Sequence, residues 1–108
     1  MSEKHPIKVT AENFEKLLAG DKPVLVDFFA TWCGPCQMML PVVGEIAKEA
    51  DDFTVATLDI DENPAIAAKY GVMSVPTFIV FKGKEEKARM LGSMPKEMMI
   101  ERVKEASK

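Results

Sequence analysis

Short apolar runs alternate along this chain with stretches of helical periodicity. Ile7, Lys8 and Val9 make a short candidate strand. Thr10 stands where it can cap a helix carrying Phe14, Leu17 and Leu18 on one face, closed by Gly20. Residues 23–30 are apolar at both alternating sets of positions, the pattern of a strand covered on two faces. A helix is predicted over residues 34–50, and residues 53–60, rich in β-branched side chains, form the next strand. Asn63 and Pro64 open another helix, with Asn as cap and Pro in the first turn, and Gly71 ends it. Residues 77–82 and 87–91 are strands joined by a connection too short for anything but an antiparallel hairpin. Ser93 is placed to cap a last helix with Met98, Met99, Val103 and Ala106 facing inward.

This order predicts an α/β fold in one domain over residues 1–108. Helical crossovers make the middle strands parallel and the final hairpin antiparallel, giving one mixed sheet flanked by about four helices on both faces. The first six residues and the last few are expected to fray. At 108 residues and 47% hydrophobic content, the chain can bury a core without a disulfide framework.

The formal net charge of −3 is spread over mixed acidic and basic residues, with no basic stripe of the kind nucleic-acid binders carry. Residues 1–6 lack the apolar segment of a signal peptide, and no apolar run is long enough to span a bilayer. The expectation is a cytoplasmic protein, in a reducing compartment where stable disulfides are rare.

Cys33 and Cys36 are the only cysteines, and they sit where an apolar strand turns into a helix. A bond between them closes a loop so small that chain entropy gives only about 2 kcal/mol, a poor reason to keep it. A structural zinc site wants four ligands, and beyond the pair the chain offers only His5, near the N-terminus. Metal held between two copies stays open on the residues alone. A reversible dithiol fits better. Cys33 would lie at a helix N-terminus, where unpaired N–H groups and the helix dipole favour a thiolate. Cys36, one turn further in, would be the more buried, resolving thiol. Gly34 and Pro35 fix the turn without bulk and leave the Cys33 sulfur accessible.

The run Thr31-Trp32-Cys33-Gly34-Pro35-Cys36 resembles the active site of the thioredoxin family. The resemblance extends over nearly the whole chain, through residues 24–28, Pro41, residues 61–64, 69–71 and 75–77, and Gly92. It implies the thioredoxin fold and a general protein-disulfide reductase. In that chemistry Cys33 attacks a substrate disulfide and Cys36 resolves the mixed disulfide. It further implies no bound cofactor, with electrons from NADPH through a flavin-dependent thioredoxin reductase. Diverse disulfide-containing proteins would be the substrates, and a monomer the expected state.

Asp27 interrupts an apolar strand, where an ionised carboxylate is costly and the pKa should rise. The residues alone leave two readings, a structural carboxylate satisfied by neighbouring donors and a proton acceptor for Cys36. The resemblance implies the second. Pro76 read alone is a loop proline that starts a strand. The resemblance implies a cis proline facing the cysteines, with the Val75 backbone pairing an extended substrate segment. Trp32, the sole tryptophan, would join Gly34, Pro35, Val75, Pro76 and Gly92 in an apolar docking patch. Pro41 reads as a kink in the active-site helix. Most of the eight methionines read as core filler, with Met73 and Met94 near the patch. Two positions depart from many bacterial relatives: Phe29 stands in place of a second tryptophan, and Thr57 in place of a lysine near the buried aspartate. Losing that lysine removes a charge that favours ionised Asp27.

Two other functions compete. One is an oxidant or isomerase of exported proteins, against which the missing signal and the Gly-Pro pair argue. The other is a non-catalytic binding subunit using the same apolar patch, against which the intact cysteines and Asp27 argue.

Overall fold

The apolar run before the cysteines forms β2 (Val24–Phe29), the middle strand of a five-stranded sheet. The computed structural model describes residues 4–108. The other elements, in chain order, are β1 (Ile7–Lys8), α1 (Phe14–Leu18), α2 (Gly34–Glu49), β3 (Thr54–Asp59), α3 (Pro64–Lys69), β4 (Thr77–Lys82), β5 (Glu85–Leu91) and α4 (Lys96–Ala106). The strand order is β1-β3-β2-β4-β5. β1 and β2 run parallel to β3, while β4 is antiparallel to both β2 and β5. The parallel part thus stops at β2, because the segment after α3 reverses the chain before β4. None of the helices among the described residues is long and apolar enough to cross a membrane.

Period-two alternation divides the core into two layers. Leu25, Val55, Phe78 and Val80 pack against α2 and α4 through Met39, Val43, Ile46, Met99 and Val103. Val26, Phe28, Leu58, Ile79 and Phe81 face Phe14 and Leu18 of α1, with Ile66 and Tyr70 packed alongside. Phe28, Phe78 and Phe81 are fully buried, each worth about 2–3 kcal/mol of transfer free energy. Phe14, Tyr70 and Phe81 meet edge to face, with ring centroids 5.1–6.1 Å apart, and dock the end of α3 on the sheet.

Several element ends differ from the sequence expectation for local reasons. Regular α1 begins at Phe14, after a turn over residues 11–13 that Thr10 caps as expected: Phe14 N bonds Thr10 O at 3.2 Å, and Thr10 and Asn13 form a reciprocal capping pair. Thr10 N donates to Asn13 Oδ1 at 2.8 Å, and Asn13 N donates to Thr10 Oγ1 at 3.1 Å. Asn63 does not cap α3 through its side chain; its Nδ2 donates back to Asp59 O at 3.2 Å. Gly71 does end α3, at φ +63°, with Val72 N bonded to Ala67 O and Gly71 N to Ala68 O, the paired bonds of a Schellman end. α4 starts at Lys96 rather than after Ser93, since Pro95 disfavours helix at Met94 and is itself extended. Met98, expected to face inward, lies 47% exposed, while Met99 and Val103 are buried. Pro41 sits inside α2, which continues unbroken through it. The hairpin turn is Gly83-Lys84, both at positive φ (59° and 71°), the signature of a type I′ turn.

Of the residues expected to fray, 1–3 lie outside the described residues. Lys4 is held, its Nζ donating to Ala50 O at 3.0 Å and Asp51 Oδ1 at 2.7 Å. The C-terminal ends of β2, β3 and β5 and the start of β4 lie along one edge of the sheet, so the loops at residues 30–36, 59–63, 75–76 and 92 converge there.

Candidate active site

Chain direction places the cysteines: β2 ends at Phe29, and α2 begins at Gly34 with Pro35 in its first turn. Cys33 is the N-cap of α2, in extended conformation, and its Sγ accepts the Cys36 amide at 3.2 Å. A sulfur therefore takes the place that a serine or aspartate oxygen takes in an ordinary cap. The same N–H and the helix dipole would hold a thiolate there. Cys33 and Cys36 are joined as a disulfide. Cys36 is fully buried and Cys33 is 6% exposed, so the nucleophilic candidate is far less open than the sequence predicts. The cause is packing: the disulfide lies against Ala30, Phe29, Ile60 and Val75.

Asp27 is also completely buried, and neither carboxylate oxygen has a hydrogen-bond partner in the protein. The structural reading, a carboxylate satisfied by neighbouring donors, therefore fails. Burial pushes its pKa up from the ordinary 3.8 to about 7. Asp27 shares its sheet face with Leu25, which packs on α2, so the carboxyl lies in the layer that also holds Cys36. Its neighbours in register are Thr57 on β3 and Phe78 on β4.

The rim comes from three loops. Trp32 is 70% exposed, and Gly34 and Pro35 are exposed beside it. The Val75–Pro76 peptide is cis, and Val75 O lies 3.7 Å from Cys33 Sγ. Gly92, at φ +85°, donates its N–H to Pro76 O at 2.9 Å. Pro76 is buried, so of the expected patch it forms the floor and not the contact surface. Met73 is 95% exposed and Met38 75%, whereas Met94 packs on the core under α4. Clefts of about 440 and 550 Å³ open at the opposite end of the sheet, around Phe53 and Lys104, and one of about 320 Å³, lined by Phe29, Thr31, Thr57, Asp59 and Glu62, opens beside the cysteine turn. Around the disulfide itself the exposed Trp32, Gly34 and Pro35 make a largely apolar surface, suited to another polypeptide. No cluster of three or more His, Cys, Asp or Glu side chains among the described residues is arranged to hold a metal.

The profile of the thioredoxin family matches residues 5–105. The chain belongs to the thioredoxin family. It is 51% identical over 92 residues to a thioredoxin of Alicyclobacillus acidocaldarius, covering 84% of this chain and 88% of the relative. It is 48% identical over 96 residues to the bifunctional thioredoxin reductase/thioredoxin of Mycobacterium leprae, covering 87% of this chain and 21% of that protein. Among solved structures, a mutant thioredoxin from Halobacterium salinarum NRC-1 superposes with a TM-score of 0.91 at 34% identity, covering 100% of this chain and 96% of that one. With the Cys33–Cys36 pair, this makes the chain a dithiol–disulfide redox carrier, a protein-disulfide oxidoreductase whose electrons reside in two sulfurs and not in a bound cofactor.

One member of this thioredoxin-family site carried no assigned role in the sequence. Asp61, in the loop after β3, accepts the Trp32 indole N–H at 2.9 Å and pins the ring over the turn. Asp61 lies within the family-like run 61–64, but nothing local links it to a tryptophan 29 residues earlier.

Proposed function

We propose that Cys33 is the nucleophile, Cys36 the resolving thiol and Asp27 the proton acceptor of a general protein-disulfide reductase. The Cys33 thiolate attacks one sulfur of a substrate disulfide. That S–S bond breaks, a mixed disulfide forms, and the other substrate sulfur leaves as a thiolate. Asp27 takes the Cys36 proton, directly or through water, and the Cys36 thiolate attacks Cys33 Sγ. The substrate leaves reduced by two electrons, and the chain is left with its Cys33–Cys36 disulfide. A carboxyl with its pKa raised by burial to about 7 is half ionised near neutral pH, as a proton acceptor for a thiol requires.

The observation that carries this reading is the graded pair at the head of α2: Cys33 capped by the Cys36 amide, with Cys36 fully buried behind it. Trp32, Gly34, Pro35, Val75 and Gly92 form the docking surface, with Pro76 beneath. An extended substrate segment pairs with the Val75 backbone beside the sulfur, a contact that asks little of substrate sequence. Electrons return from NADPH through a flavin-dependent thioredoxin reductase, in keeping with the relative in which both activities share one chain. The protein acts as a one-domain monomer in the cytoplasm, without nucleic acid or membrane.

Trapping tests the assignment. A Cys36→Ser variant accumulates covalent complexes with disulfide substrates through Cys33, and adding Cys33→Ser abolishes them. No covalent complex in the Cys36→Ser variant, or full activity in both the Cys33→Ser and Cys36→Ser variants, would leave only a binding subunit.

A further inference from the structure

The turn that brings Val75 to the disulfide is secured from the edge strand β5. Its entry is Tyr70-Gly71, just past α3, where the carbonyls lie outside the helical ladder. Arg89 of β5 supplies donors there: Nη2 to Tyr70 O and Nη1 to Gly71 O at 3.4 Å. The guanidinium is itself oriented by Glu86, which accepts Nε at 2.8 Å and Nη2 at 2.9 Å, and the Arg89 side chain is 29% exposed. At the exit of the turn, Thr77 Oγ1 donates to Ser74 O at 2.7 Å, and Gly92 N, just past β5, donates to Pro76 O at 2.9 Å. Between these anchors lie Met73, 95% exposed, and Val75, whose carbonyl stands 3.7 Å from Cys33 Sγ.

We infer that Arg89 is a positioning residue for substrate docking. It touches neither sulfur, yet it fixes the entry of the segment whose backbone faces the reacting disulfide. The planar guanidinium makes four bonds in fixed directions, two to the Glu86 carboxylate and one to each carbonyl, whereas an ammonium has three N–H donors and no fork. Without it, the segment over residues 72–75 samples conformations that a protein substrate must first select, and docking weakens while the sulfur chemistry stays intact. The inference rests on the proposed docking role of Val75.

The test compares the parent with Arg89→Met, which keeps an unbranched stem and loses the donors, and with Glu86→Gln, which keeps the guanidinium and loosens its orientation. Each is assayed with a protein disulfide (insulin) and a small aromatic disulfide. Arg89→Met should raise KM for insulin about tenfold, the size of one charge-assisted hydrogen bond, with kcat and the small-disulfide rate unchanged. Amide exchange at Val72–Val75 should accelerate. Glu86→Gln should move the same readouts in the same direction by a smaller factor, and Arg89→Lys should recover only part of the loss. An unchanged insulin KM in either folded variant overturns the inference, as does an equal loss on both substrates. If Arg89→Met fails to fold, the Glu86→Gln values decide by the same criteria. A parent that reduces neither substrate would instead refute the redox reading itself.

Discussion

Replacing Asp27 by asparagine in the oxidised protein isolates one carboxyl, because the disulfide-bonded cysteines do not titrate. Burial raises the folded-state pKa from 3.8 to about 7. Below about pH 4 the carboxyl is protonated in both folded and unfolded chains and contributes nothing to the pH dependence. Between these values the folded state holds a proton that the unfolded state has released, so stability falls as pH rises. Above pH 7 both states are ionised and the penalty is complete. At about 1.4 kcal/mol per pH unit, it reaches about 4 kcal/mol, a large share of the roughly 5–15 kcal/mol that holds a domain folded. Asparagine removes this dependence, though its buried amide brings a pH-independent cost of about 1–3 kcal/mol. The measurable quantity is therefore the difference in unfolding free energy between variant and parent, from urea titrations between pH 4 and 8.5. It should grow in favour of the variant by about 4 kcal/mol, with most of the change between pH 4 and 7, and the other titrating groups cancel. The same variant should reduce protein disulfides more slowly. A difference that stays constant across this range would refute the reasoning, since it would mean that the carboxylate finds partners or solvent when it ionises.

Two further outcomes follow from the sheet. Thr57 is the register neighbour of Asp27, so Thr57→Lys brings an ammonium toward the buried carboxylate and should lower its midpoint by about one pH unit or more. Carboxyl carbon shifts followed by NMR across pH check this, and coincident titration curves would count against it. Lys84 occupies a left-handed conformation (φ 71°) in the type I′ turn, so Lys84→Gly should stabilise the fold by about 0.5–1 kcal/mol in urea titration. The variant gives up only an exposed ion pair with Glu15 at 3.6 Å, worth under about 1 kcal/mol.

The sequence by itself determined whatever is written in neighbouring residues. Periodicity named the strands and helices, the short Gly83-Lys84 connection demanded a hairpin, and Gly71 ended α3 where a left-handed residue was needed. The two cysteines at a strand-to-helix turn carried their chemistry in their spacing, because a helix N-terminus presents its amides to whatever stands one turn before. Thr10 capped the first helical turn as its position suggested, whereas competition between local partners took Asn63 away from its expected cap and back to Asp59. Tertiary structure decided everything that depends on residues far apart in the chain. It set β4 antiparallel to β2, turned Pro76 inward, and covered Cys33 with Phe29, Ile60 and Val75. It brought Val75 to a sulfur 42 residues away and Asp61 to Trp32, and it left the Asp27 oxygens without partners. No window along the chain encodes these arrangements, because each is fixed by how two apolar layers pack on one twisted sheet.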